Sequence, residues 1–291
     1  MANIELLLDA HASLGEGPAW DDHDGLLYWV DILAGRVHRY NPWDKTDHMI
    51  DVGEMVGCLA PAQPGRLILG VKSGFAMLDL ATETLTHLHH PEPHLPGNRF
   101  NDGKCDPAGR FLAGTMDMAE KDPSGALYTY APNGALKTLV RGVRISNGLA
   151  WSPDYRTLYY IDTPTRVVMA YDYDLATGDI ANPRVAVTVP QEMGWPDGMT
   201  SDAQGMLWVA LWGGAAVTRW DPHTGSLLGR YPIPARQVTS CVFGGENLDV
   251  LYVTTARVGL GTSNLTAYPH SGGLFRLRVG VTGMPTFRFG G

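Results

Sequence analysis

The sequence predicts an all-β fold, a six-bladed β-propeller. Three observations carry that prediction: a strand unit that recurs six times, turn residues ahead of each copy, and no amphipathic pattern of helical period of useful length. The recurring runs are LYWVD (27–31), LILGV (67–71), FLAGT (111–115), LYYID (158–162), LWVAL (207–211) and LYVTT (251–255). Their starts lie 40, 44, 47, 49 and 44 residues apart. Aromatic and β-branched residues fill these runs and Gly, Asp and Pro bound them, as expected of buried strands.

The turns DDHDG, AQPG, DPAG, SPDY, DAQG and GGENLD precede the runs. Second extended segments follow most of them: RVHRY, FAMLDL, ALYTY, RVVMAYDY, AVTRW and GLFRLR. One unit is therefore about four short antiparallel strands in roughly 40–50 residues, the size of a propeller blade. Six units use nearly the whole chain, so a single domain over residues 1–291 is expected. The ring must close, and IELLL at the start and TFRF near the end are extended segments expected to pair within one blade.

Composition narrows the function classes. A hydrophobic fraction of 44% is enough for a sizeable core, and the net charge of −8 comes without any cationic run. Binding a nucleic acid duplex needs clustered cations, so nucleic acid is not an expected partner. No stretch approaches the ~20 apolar residues of a membrane span, and the opening MANIELLLDAHASLGEG lacks the basic segment of a secretory signal. A cytoplasmic protein, monomeric because a closed ring has few free edges, is the expectation. Cys58, Cys105 and Cys241 are odd in number and lack metal or redox spacing, which makes them small buried hydrophobes.

Function enters with the segments just ahead of the turns: GEGPAW, VGCLAP, NDGKCD, SNGLAW, PDGMTS and TSCVFG. Their second positions hold Glu16, Gly57, Asp102, Asn147, Asp197 and Ser240. The first strand of each propeller blade lines the central channel, and equivalent positions share one height. Glu16, Asp102, Asn147 and Asp197 are thus expected to converge at one mouth, with Asn101 beside them. Asx-Gly pairs also occur as plain turns, but turn chemistry does not explain Glu16. Carboxylates gathered in a confined space repel one another, so a cation is the expected compensation. All-oxygen donors select Ca²⁺, Mn²⁺, Mg²⁺ or Zn²⁺, and few protein ligands leave open positions for water and substrate.

Other signals are weaker. No G-x-S-x-G elbow, H-E-x-x-H helix or Walker loop is present. HLHHPEPH (87–94) sits among prolines and reads as a solvated loop, not a metal site. Trp20, Trp29, Trp151, Trp208 and Trp220 fall in the strand pattern and read as core, whereas Trp195 and Trp212 sit where a pocket wall is expected.

From about Leu14 to the C-terminus the sequence resembles the gluconolactonase/regucalcin (senescence marker protein) family of six-bladed propellers. The resemblance rests on LGEGP, RFNDGK, DPAGRFLAGTM, SGALY, ISNGL, YDYDLATG, PDGM, LWVA, TSCVFGG and YVTTAR, in that order. It implies Glu16, Asn147 and Asp197 as ligands of one divalent ion, with Asp197 also the general base. It implies Arg99 and Asn101 as contacts to substrate or bound water, and leaves Asp102 to orient its neighbours. Animal members carry an acidic pair after Gly-Thr-Met that reaches the substrate. This chain reads Asp117-Met118-Ala119-Glu120 there, so Asp117 is the candidate contact, with Met118 as a wall. The expected activity is metal-dependent opening of a sugar lactone, gluconolactone or a pentonolactone, to its aldonic acid. A phosphotriesterase or arylesterase, or a non-catalytic calcium-binding propeller, is the alternative.

Overall fold

The structure, a computed structural model, describes residues 4–290; residues 1–3 and 291 of the expected domain lie outside that range. Six four-stranded antiparallel sheets stand around a central channel. The innermost strands, in chain order, are Gly15–Asp21, Val56–Pro61, Asn98–Cys105, Ser146–Trp151, Trp195–Ser201 and Gln237–Gly244. Each of the six runs that defined the repeat is the second strand of its blade.

A blade is sandwiched between two neighbours, so both faces of its inner strands are covered. That is why these strands read as continuous apolar runs and not as alternating ones. Leu26–Asp31 and Phe111–Asp117 are buried almost throughout, whereas the outermost strands, such as Thr46–Asp51 and Thr84–His89, are largely exposed and polar. Six hydrophobic clusters fill the six interfaces between adjacent blades. Trp20, Trp29, Trp151, Trp208 and Trp220 all lie in them or against them, each no more than 5% exposed. The three cysteines are buried and unpaired.

Ring closure differs from the expectation. Ile4–Leu8 pairs antiparallel with Leu274–Arg278, supplying the outermost strand of the sixth blade, so the partner of IELLL is LFRLR. The TFRF segment forms no strand. Residues 282–290 instead run across the mouth of the channel formed by the turns between first and second strands. There they touch all six blades. Ala203 donates to the Thr282 carbonyl, Gly283 to that of Leu248 and Met284 to that of Ser201. Phe287 meets Tyr155 edge-on, and Arg288 pairs with Asp21 and donates to the Ala62 carbonyl. Phe289 donates to the Pro61 carbonyl and stacks on Tyr130, and Gly290 donates to the Gly109 carbonyl. TFRF reads as a strand by composition because Phe287 and Phe289 are spent on the floor of the ring.

The histidine stretch also differs from a loop throughout. His87 and His89 lie on the exposed outer strand of the second blade, and only the residues after them are irregular. Among the described residues no helix is long and apolar enough to cross a membrane.

Candidate metal centre and active site

Every innermost strand carries a β-bulge at the same height. The paired positions step over one extra residue between Glu16 and Ala19, Val56 and Cys58, Phe100 and Gly103, Asn147 and Leu149, Pro196 and Met199, and Val238 and Ser240. A bulge re-aims the side chains next to it. Here six such kinks form a ring around the channel, and the polar residues of the motifs sit on them.

The glycines that follow Asn147 and Asp197 are explained by crowding. A Cβ on Gly198 would lie 2.1 Å from the Ser240 hydroxyl oxygen, and one on Gly148 would lie 2.8 Å from the Asp197 carbonyl oxygen. Both glycines are inside strands and neither has positive φ. The Asn-Gly and Asp-Gly pairs are therefore not turns; neighbouring inner strands approach too closely for a side chain.

Above the bulges opens a cavity of about 750 Å³ whose floor holds Glu16, Arg99, Asn101, Asn147 and Asp197. All five are buried. Arg99 donates from Nη1 to Asn101 Oδ1 at 2.6 Å and to the Phe100 carbonyl at 2.9 Å. Asn101 donates from Nδ2 to Asn147 Oδ1 at 3.0 Å and to the Ser146 carbonyl at 2.8 Å. Thr163 fixes the orientation of Asn147. Its hydroxyl donates to the Pro196 carbonyl at 2.8 Å, so it can only accept from Asn147 Nδ2, also at 2.8 Å. The Asn147 oxygen is thereby left on the side of Asn101. Sequence patterns had no means of finding Thr163, which lies in a short 3₁₀ turn beyond the repeat.

Asp102 departs from the expected ring. The bulge in Asn98–Cys105 turns Asn101 into the upper cavity, while Asp102 lines a small space below it together with Lys104. Asp102 Oδ1 accepts from the Gly103 amide at 2.7 Å, and its buried Oδ2 has no partner. Lys104 is half-buried in the channel and donates to the Met199 carbonyl.

Asp117 also departs from expectation. Its carboxylate accepts from the amides of Ala119, Lys121 and Asp122, so it shapes the loop, and it does not line the cavity. Those amides hold its pKa below the ordinary carboxylate value. Met118 and Glu120 are the residues this loop delivers to the cavity wall. Glu120 sits at φ 57, a left-handed position that a residue-type pattern does not reveal. Trp195 and Trp212 are cross-strand partners at the end of the fifth blade, and both wall the cavity.

The electrostatics of the floor are unbalanced. Among the described residues, the largely buried carboxylate–arginine pairs lie elsewhere, at Asp106–Arg110, Asp202–Arg219 and Asp21–Arg288. Burial first, and then the charge of Asp102, pushes the Glu16 pKa up to about 8. Burial, followed by the charges of Glu16 and Asp102, pushes Asp197 well above the ordinary value. Among the described residues, the cations that act on these three carboxylates are Arg99 and Lys104. Two carboxylates and a correctly turned amide oxygen, facing open space and short of positive charge, fit a hard divalent cation. No group of three or more His, Cys, Asp or Glu side chains gathers for a metal among the described residues, because this donor set includes an asparagine.

Fold and floor together define a closed six-bladed propeller whose inner strands deliver polar side chains from several blades to one mouth of the channel. The chain belongs to the SMP-30/Gluconolactonase/LRE-like region family, matched over residues 14–257. It is 40% identical to a Bacillus subtilis protein provisionally named sugar lactone lactonase YvrE, over 97% of both chains. It is 38% identical to regucalcin of Danio rerio, over 99% of this chain and 98% of that one. Among solved structures it is similar to a calcium-binding protein, regucalcin, from Agrobacterium tumefaciens. That match has a TM-score of 0.95 and 31% identity, covering 99% of this chain and 97% of the other.

Proposed function

We propose that the protein is a divalent-metal-dependent lactonase that opens sugar lactones to aldonic acids. The observation that carries this reading is the convergence of Glu16, Asn147 and Asp197 with Arg99 and Asn101 on the floor of one open cavity. Two relatives support it from outside, one named for sugar lactones and one described as calcium-binding.

Glu16, Asn147 and Asp197 would hold the ion. When bound, such an ion polarises the attacked carbonyl and brings the pKa of a water toward about 7. Asp197 takes the proton of the attacking water and returns it to the departing ring oxygen, a general-base role that contributes on the order of 10²–10⁴-fold. Asn101 gives both Nδ2 hydrogens to Asn147 Oδ1 and the Ser146 carbonyl, so its oxygen, which also accepts from Arg99, positions the attacking water. Arg99 has donors to spare beyond Nη1 and grips hydroxyls or the ring oxygen with a planar fork. Water adds to the carbonyl carbon, the ring C–O bond breaks, and one hydroxy acid leaves. In this reading the enzyme works as a cytoplasmic monomer on a small diffusible substrate.

A pH-indicator assay on gluconolactone and pentonolactones, with and without chelator, tests the proposal. Turnover should vanish on chelation and return with Ca²⁺, Mn²⁺, Zn²⁺ or Mg²⁺. Undiminished turnover by metal-stripped protein, or no turnover of any lactone with metal present, sinks it.

A further inference from the structure

The walls of the cavity are unlike its floor. Among the described residues, the large hydrophobic side chains that remain exposed include Leu33, Met118, Trp195 and Val258, from 36% to 40% exposed, and all four stand around this mouth. Met55 and Trp212 complete an apolar collar. Glu120 and Arg144 are the charged residues that reach the wall above the floor. Exposed apolar side chains scattered singly need no explanation, but a ring of them around a cavity marks a binding surface.

The collar is built, not incidental. Trp195 opposes Trp212 across the strand pair, so the two indoles share one face. The Arg166 guanidinium lies 3.5 Å over the Trp195 ring and is itself anchored, donating to the Gly194 carbonyl at 2.8 Å. Gly194 is at φ 112, and a Cβ there would meet the Trp212 carbonyl oxygen at 2.7 Å. The tryptophan wall is therefore propped from behind and fixed at its base. A bare sugar lactone would cover only the floor of a cavity whose volume of about 750 Å³ suits far larger ligands.

We propose that the preferred substrates are sugar lactones carrying an apolar substituent. The ester ring rests on the polar floor, and an alkyl, acyl or aryl group lies against the collar. This rests on the lactonase reading and narrows it: the reaction is the same ring opening, and the collar selects the substituent. Each methylene fully buried against such a wall is worth about fourfold in affinity, so a partly buried chain still gives a clear series.

The test separates binding from turnover. Hydrolysis-resistant polyhydroxylated sugar δ-lactams that are unsubstituted or carry butyl or octyl groups are titrated into metal-supplemented protein, read by tryptophan fluorescence and calorimetry. The matching lactones are assayed for turnover beside gluconolactone. Affinity should tighten about tenfold or more from the unsubstituted to the octyl lactam, and kcat/KM of the lactones should follow. In Trp195→Ala, and separately in Val258→Ser, the octyl advantage should shrink at least threefold, with thermal unfolding confirming that each variant is folded. A flat lactam series in the wild-type protein, or one unchanged in both variants, overturns the proposal. Chain-length-dependent lactam binding without turnover of any lactone would support the collar and remove the hydrolase reading. Gluconolactone turnover with a flat lactam series would do the reverse.

Discussion

The two mouths of the channel are made from the same six strands and end in opposite ways. At one, the bulged strand starts spread into a cavity of about 750 Å³ with a charged, underbonded floor; at the other, residues 282–290 close the ring down to a space of about 40 Å³. The open end leaves buried carboxylates short of partners, whereas the segment that covers the closed end is held by backbone hydrogen bonds, an Arg288–Asp21 pair and two aromatic contacts, with Asp102 Oδ2 left unpartnered above it. Chemistry is thus confined to the end where stability is given up, and rigidity is concentrated at the end that does no chemistry.

The largest effect is expected at the open end. Asp197→Asn keeps an oxygen of the same shape but removes a base and a negative charge. Turnover should fall by ~10²-fold or more even when metal is saturating, while metal binding weakens but remains recoverable. Normal kcat at saturating metal would leave Asp197 a ligand alone and move the base role to another group.

The closed end should respond in stability and not in rate. Phe289 is 9% exposed and packed against Tyr130, so Phe289→Ala should cost about 2–4 kcal/mol in denaturant unfolding. Its kcat/KM at 25 °C should stay near the wild-type value. A loss of activity matching the loss of stability would show that the two mouths are coupled.

A smaller, pH-dependent effect tests the imbalance of the floor. The Glu16 pKa is about 8 in the folded metal-free protein against an ordinary value of 4.5. Between those two values the folded state holds a proton that the unfolded state has lost, so stability falls as pH rises through that window. The Tm of chelated protein should therefore decline from pH 5 to pH 8, and bound metal should flatten the decline. Metal binding should release protons in the same window, seen as buffer-dependent heats in calorimetry. A Tm of chelated protein that is level over this range would show Glu16 already ionised and balanced by Arg99 and Lys104.

The smallest effect is expected away from both mouths. His87, His89, His90 and His94 changed together to Gln should leave metal content and turnover nearly intact. Loss of bound metal from that variant would move the ion to the histidine cluster.

Much of this contrast was legible in the sequence, and the gaps have physical causes. The repeat gave the six blades because middle strands must be apolar on both faces, and the shared height of Glu16, Asn147 and Asp197 followed from the alignment alone. Asp102 was misplaced because a one-residue bulge decides which of two adjacent polar residues faces the open cavity, and residue types do not record it. Asp117 looked like a contact because animal members of the family carry acidic residues after the same Gly-Thr-Met, yet three local amides claim its carboxylate. The segment TFRF has strand composition and no strand partner, since its aromatic residues are set by the blades they cover and not by a ladder.

That covering segment also constrains how the ring is made. Everything it touches, from Asp21 to Leu248, precedes it in the chain and leaves the ribosome earlier. Ile4–Leu8 waits as well, since its partner strand begins at Leu274. Blades can form one by one as their hairpins emerge, but until residues 274–290 appear the nascent protein is an open arc with an unpaired strand at its edge. Its channel is unsealed for the same period. Closing a loop of that length is entropically slow, and an unpaired edge invites other chains. Joining of the ring and sealing of its closed mouth therefore both wait for residues 274–290, and the interval before these emerge is the one in which a chaperone would matter most.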